Sequence, residues 1–222
     1  MFKDVVKSKQ ELRALFGEPN ERAVLKCHSS LDEHSRAFIA ASPFVLLATS
    51  NTAGQCDVSP KGDAPGFVLV LDDTHLVVPD RPGNNRTDGL TNILENPHMG
   101  MIFLVPGRGD TLRVNGKASI IRDGEILARL GMHGKLPKVA IGLEVEEAYL
   151  HCPKAFLRSS LWDPSTWAEP RKLPSFAQML WDQVPSARNA ASFTDYGNQL
   201  AARSLIQDLC APKPGVDRCS SS

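Results

Sequence analysis

The chain has 222 residues, 42% of them apolar, and 25 basic side chains balance 25 acidic ones. Zero net charge excludes the basic footprint of a nucleic-acid or anionic-membrane binder, so neither partner is expected. No stretch comes near the roughly 18 consecutive apolar residues of a membrane span, and Met1 to Lys7 lacks the apolar core of a secretory signal. A cytoplasmic protein is the expectation.

The first forty residues read as helical. Ser8-Lys9-Gln10-Glu11 has the form of a capping box ahead of Leu12, Leu15 and Phe16, and Gly17 with Pro19 stops that helix. Ser30-Leu31-Asp32-Glu33 repeats the pattern before Ala37, Phe38 and Ile39, and Pro43 ends the second helix. From Phe44 the period changes to that of strands. Phe44 to Ser50 and Gln55 to Ser59 form one hairpin, and Phe67 to Leu71 with His75 to Val78 a second. Met99 to Val105 and Thr111 to Ile121 form a third, and Val139 to Val145 a last strand. Short strands with tight turns predict a closed antiparallel sheet, a barrel interrupted by one helix over about Thr87 to Glu95. Beyond Tyr149 the chain returns to helix and loop, with amphipathic helices over Pro174 to Trp181 and about Tyr196 to Leu209. The whole reads as one domain over 1–210: helices in 8–41, a barrel core in 44–150 and a helical extension in 151–210. A flexible tail follows over 211–222.

Five cysteines, Cys27, Cys56, Cys152, Cys210 and Cys219, stand far apart with no C-x-x-C pair. That spacing fits reduced thiols rather than disulfides or a zinc centre, and no metal is expected. Walker loops, dinucleotide fingerprints, nucleophile elbows and H-E-x-x-H motifs are missing from the sequence, so hydrolase and nucleoside-triphosphatase readings have no support.

Four segments carry candidate chemistry. Arg81, Asn84, Asn85, Arg86 and Thr87 lie in the turn that enters the internal helix. That turn is either a solvated surface loop or an anion site, because a helix start disfavours a cation unless an anion sits between it and the backbone amides. Ser59 and Lys61 end a strand, as an ordinary polar connection or as groups converging with Arg86 on one barrel rim. Thr111, Arg113 and Asn115 share one strand face, facing either solvent or a ligand groove between subunits. Lys154 and Arg158 stand at helical i, i+4 spacing, where like charges repel unless an anion joins them. Trp162, just beyond, either stacks on a planar ring or packs.

Taken together these segments resemble the pyridoxamine 5'-phosphate oxidase superfamily of split-barrel FMN-binding proteins, and within it an FMN-dependent subgroup without an assigned reaction. The resemblance runs from about Leu12 to Trp162. It rests on Ser42-Pro43-Phe44, Val58-Ser59-Pro60-Lys61-Gly62-Asp63, Asp80-Arg81-Pro82-Gly83-Asn84-Asn85-Arg86, Asn96-Pro97, Leu112-Arg113-Val114-Asn115-Gly116 and His151-Cys152-Pro153-Lys154-Ala155 with Arg158-Ser159 and Leu161-Trp162. It implies a mainly β protein with α extensions (α+β), and a homodimer that holds FMN at its interface. Arg86 would be the main phosphate ligand, with Asn85 and Thr87 in support and Arg81, Asn84 and Arg113 completing the set. Ser59 and Lys61 would lie near the isoalloxazine edge or ribityl chain, Thr111 would approach from its strand, and Lys154, Arg158 and Trp162 would come from the other subunit. An FMN-dependent oxidoreductase with an unassigned substrate and no assigned catalytic residue is the expected function. The alternatives are a non-catalytic flavin carrier or sensor, and a relative that uses F420 or haem. Lys172-Leu173-Pro174 only superficially echoes the Arg-Leu-x-Pro substrate motif of the vitamin B6 oxidase, so authentic pyridoxamine phosphate oxidation is not expected.

Overall fold

In the computed structural model, which describes residues 2–132, 134–167 and 173–203, polar side chains cap the first three helices. Ser8 Oγ accepts from the Glu11 N–H at 3.1 Å to open α1 (Lys9–Phe16), while the Glu11 carboxylate reaches back to the Lys7 N–H rather than to that of Ser8. Asn20 caps a short α2 (Glu21–Leu25) that the sequence pattern did not suggest. In α3 (Glu33–Ala41) the cap is Asp32, which accepts from the Ser35 N–H at 2.7 Å; the expected Ser30 lies two residues too early.

Seven strands follow: β1 (Phe44–Ser50), β2 (Cys56–Gly62), β3 (Leu69–Val70), β4 (His75–Pro79), β5 (His98–Leu104), β6 (Thr111–Ile121) and β7 (Ala140–His151). They form one antiparallel sheet in the order β2-β1-β5-β6-β7-β4-β3. The closure expected of a barrel is missing, because β2 and β3 are ends of the sheet and do not pair. Pro60 explains one side of the split: it sits opposite Leu46, has no N–H to give, and suits only an edge strand. On the other side β3 is two residues long.

Alternate residues of the strands face a single core. Val45 and Leu47, Leu76 and Val78, Met99, Met101 and Phe103, Leu112 and Val114, and Ile141 and Leu143 pack with Phe38 and Ile39 of α3 and with Ile93 of α4 (Asp88–Glu95). One position tolerates only glycine: a Cβ on Gly116 would lie 2.0 Å from the Glu144 carbonyl oxygen, where the β6–β7 register shifts. The opposite face of the sheet is partly covered by α5 (Gly124–Arg129), capped by Asp123 and unforeseen because six residues show little period. Its Ile126 and Leu127 pack on Val77, Leu130 and Ala140. Strand β7 runs on to His151, past the Val145 expected as its end, and α6 (Lys154–Ser159) follows.

The described residues fall into two compact units, residues 1–163 and residues from 164 onward. In the second, α7 (Phe176–Gln183) and α8 (Phe193–Arg203) meet where Trp181 packs on Phe193 and Tyr196. Helix α8 starts three residues before the Tyr196 expected; its continuation to Leu209, the tail 211–222 and Lys172 lie outside the described residues. No helix among them is long and apolar enough to cross a membrane.

Candidate anion and cofactor site

The segment Asp80 to Thr87 crosses the split in the sheet. It leaves β4, second from one end of the strand order, and delivers α4 onto β1 and β2 at the other. Buried Asn92 donates through Nδ2 to Thr49 Oγ1 at 3.0 Å, and Asn96 Nδ2 donates to Ser50 Oγ at 3.2 Å. A Cβ on Gly89 would lie 3.4 Å from Asp57 Oδ2 and 3.7 Å from Thr49 Oγ1, so the first turn of α4 lies against the β1–β2 pair.

At its start the crossing segment is tied by charge. Lys61 Nζ of β2 lies 3.0 Å from Asp80 Oδ1. Arg81 donates through Nε to Asp63 Oδ2 at 3.0 Å, with Nη2 2.9 Å from the same oxygen, and through Nη1 to the Leu130 carbonyl at 2.8 Å. These four side chains are between 9% and 26% exposed, so they hold their geometry better than surface pairs do.

At its end the segment is strained. Asn84 Oδ1 accepts from the Arg86 N–H at 3.0 Å, and Asn85 (φ 59°) and Thr87 (φ 56°) both take the left-handed conformation without being glycine. Thr87 occupies the N-cap of α4 but its side chain makes no capping hydrogen bond. The donors of the first helical turn are thereby left to another acceptor. Arg86 Nε donates to Asp88 Oδ2 at 2.7 Å. The Asp88 hydrogen bond and charge, with a contribution from Asp57, hold the guanidinium more firmly protonated than usual. Backbone N–H groups, a fixed dipole end and a guanidinium suit a compact oxyanion such as a phosphate monoester.

The other expected residues are distributed around this segment. Ser59 shares with Asp57 and Lys61 the more buried, alternate set of β2 residues. Thr111 is buried, and it shares with Arg113 the face of β6 opposite Leu112 and Val114. Arg113 lies over the Tyr149 ring at 5.4 Å, and its Nε is buried with no hydrogen-bond partner. Lys154 and Arg158 are exposed on α6. Trp162 stacks on Phe156 at 5.7 Å and donates to the Arg108 carbonyl at 2.7 Å, so within the protomer it packs. The structure thus gathers Lys61, Arg81 and Asn84 to Thr87 along one crossing and leaves Thr111, Arg113, Lys154, Arg158 and Trp162 on other elements. Sequence reasoning assigned no role to Thr49, Asp57, Asp88 or Asn92. Alternation along β2 already put Asp57 beside Ser59 and Lys61; the Thr49–Asn92 contact had no local signal.

The family model of pyridoxamine 5'-phosphate oxidase matches residues 31–152, which take in every strand of the sheet, and the chain belongs to that family. Its fold is the family's split barrel, mainly β with α extensions. No curated protein matches the sequence. Among solved structures the chain is similar to HupZ of Group A Streptococcus, at 20% identity over 53% of this chain and 90% of that one, with a TM-score of 0.43. It is similar to an FMN-binding protein of Syntrophomonas wolfei at 17% identity, 65% and 93% coverage and a TM-score of 0.44. It is also similar to HutZ, a heme storage protein of Vibrio cholerae, at 16% identity, 55% and 93% coverage and a TM-score of 0.39.

Proposed function

We propose that the protein binds FMN and is an FMN-dependent oxidoreductase of the pyridoxamine 5'-phosphate oxidase-like class. The observation that carries this reading is the end of the crossing segment. Two strained residues, an uncapped helix start and Arg86 are brought together there, in a chain of this family. Asn84, Asn85, Arg86 and Thr87 hold the phosphate, and Ser59 faces the ribityl chain. The flavin supplies the redox chemistry, while the chain's own residues bind it, orient it and shape the substrate pocket.

The same reading makes the protein a homodimer. Phe44, Leu46, Val58, Ile102 and Leu104 present a half-buried or exposed apolar surface on the sheet face opposite the core. A second copy would cover it and bring Lys154, Arg158 and Trp162 to the flavin beside Thr111 and Arg113. An absorbance spectrum of the purified protein tests the cofactor. Flavin bands support the reading, a haem Soret band or F420 bands replace it, and a colourless protein that does not bind added FMN ends it. Anaerobic reduction by NADH or NADPH separates an oxidoreductase from a carrier, and light scattering reads the dimer.

A further inference from the structure

Lys61 and Arg81 are the two cations at the start of the crossing segment, and each is already matched by a carboxylate. The matching is crossed: β2 gives its cation to Asp80 of the crossing segment, and its anion Asp63, just past the strand, to Arg81 of that segment. The quartet is therefore neutral and adds no net pull on a phosphate. Its partners lie on opposite sides of the split, where the sheet has no ladder of its own. Among the described residues no backbone hydrogen bond ties 81–86 to the rest of the chain, and the last before them is the Asp80 N–H to the Val139 carbonyl. What fixes the segment is thus the charge quartet and the Arg81 bond to the Leu130 carbonyl at one end, and the seating of α4 on Thr49 and Asp57 at the other.

We infer that Asp80 and Asp63, acting through Lys61 and Arg81, are positioning residues that brace the Asn84–Thr87 phosphate seat across the open edge of the sheet. The inference rests on the FMN reading above and gives Lys61 and Arg81 a bracing role in place of direct anion contact. The two roles predict opposite signs for one substitution. If Lys61 were a phosphate ligand, Asp80→Asn would free it and remove a nearby negative charge, and FMN would bind as well or more tightly. If it braces, Asp80→Asn loosens the seat and FMN binding weakens by roughly tenfold or more, the scale seen when a partner that orients a binding side chain is lost.

The experiment titrates FMN fluorescence with the full chain, with Asp80→Asn, and with the exchanged pair Lys61→Asp, Asp80→Lys. Weakened binding in Asp80→Asn with recovery to within about threefold in the exchanged pair is the expected result, the recovery being the signature of coupled partners. Unchanged or tighter binding in Asp80→Asn, or no recovery in the exchanged pair, overturns it. If the unaltered protein does not bind FMN, the functional proposal fails separately, and the brace is then read from amide hydrogen exchange of residues 83–88 in the same three proteins. Faster exchange in Asp80→Asn and its reversal in the exchanged pair support the brace; equal exchange in all three refutes it.

Discussion

Strand β4 joins two turns that handle their backbone donors in opposite ways. Before it, the Asp72 carboxylate accepts from the Thr74 and His75 N–H groups at 2.7 and 2.8 Å, from the Thr74 hydroxyl at 3.0 Å, and meets the His75 ring at 3.0 Å. After it, Asn84 accepts one N–H, two residues sit in left-handed conformations, and α4 starts without a side-chain cap. The first turn carries its own anion. The second spends conformational energy on a geometry that leaves the helix start without a side-chain acceptor, which suits the anion seat proposed above.

The strongest way to break this contrast is to remove Arg86. In Arg86→Ala the proposed phosphate loses its guanidinium, and FMN affinity should fall by roughly tenfold or more, as expected when a charge-assisted hydrogen bond to a phosphate is removed. Flavin fluorescence titration measures it. Unchanged affinity would place the phosphate elsewhere and leave the second turn as strain without a purpose.

Asn92→Ala acts beneath the seat. It leaves the buried Thr49 hydroxyl without its partner and should cost about 1–3 kcal/mol of stability, read as a shift in denaturant midpoint at constant slope. Thr87→Gly has the opposite sign. A left-handed conformation costs a residue with a Cβ about 1–2 kcal/mol, and glycine returns part of that gain as unfolded-state entropy, so stability should rise by about 0.5–1 kcal/mol. FMN binding should fall in the same variant if the Thr87 hydroxyl contacts the phosphate. A Thr87→Gly protein less stable than the parent would show that the second turn stores no strain.

The two turns also differ in how far a sequence reveals them. Asn84 to Thr87 are contiguous and open a helix, so their grouping is visible without coordinates. Strand β1 is likewise read to the residue, because a short apolar run flanked by Pro43 and the Asn51–Gly54 turn leaves little freedom. The braces are hidden for a physical reason. Lys61 and Asp80 are 19 residues apart, Arg81 and Asp63 are 18 apart, and Asn92 and Thr49 are 43 apart, and no periodicity encodes which strand ends meet across a split. The split itself had a signal in Pro60, which a closed sheet would not accommodate within a doubly paired strand. Helix α5 was too short to show a period.

The smallest effect expected belongs to the self-satisfied turn, and it is a matter of pH. The Thr74 backbone N–H, and after it the His75 ring, hold the Asp72 carboxyl down at about 2. A carboxyl whose folded value lies below its unfolded one adds stability that is complete above the unfolded value near 4 and is lost as pH falls toward 2. Asp72→Asn keeps an acceptor in the turn and removes the charge. The difference in denaturant midpoint between parent and Asp72→Asn should therefore shrink steadily as pH falls below about 4. A difference independent of pH would mean that the turn depends on hydrogen-bond geometry and not on charge. The first turn would then no longer count as one that carries its own anion, and the contrast with the second would reduce to backbone strain alone.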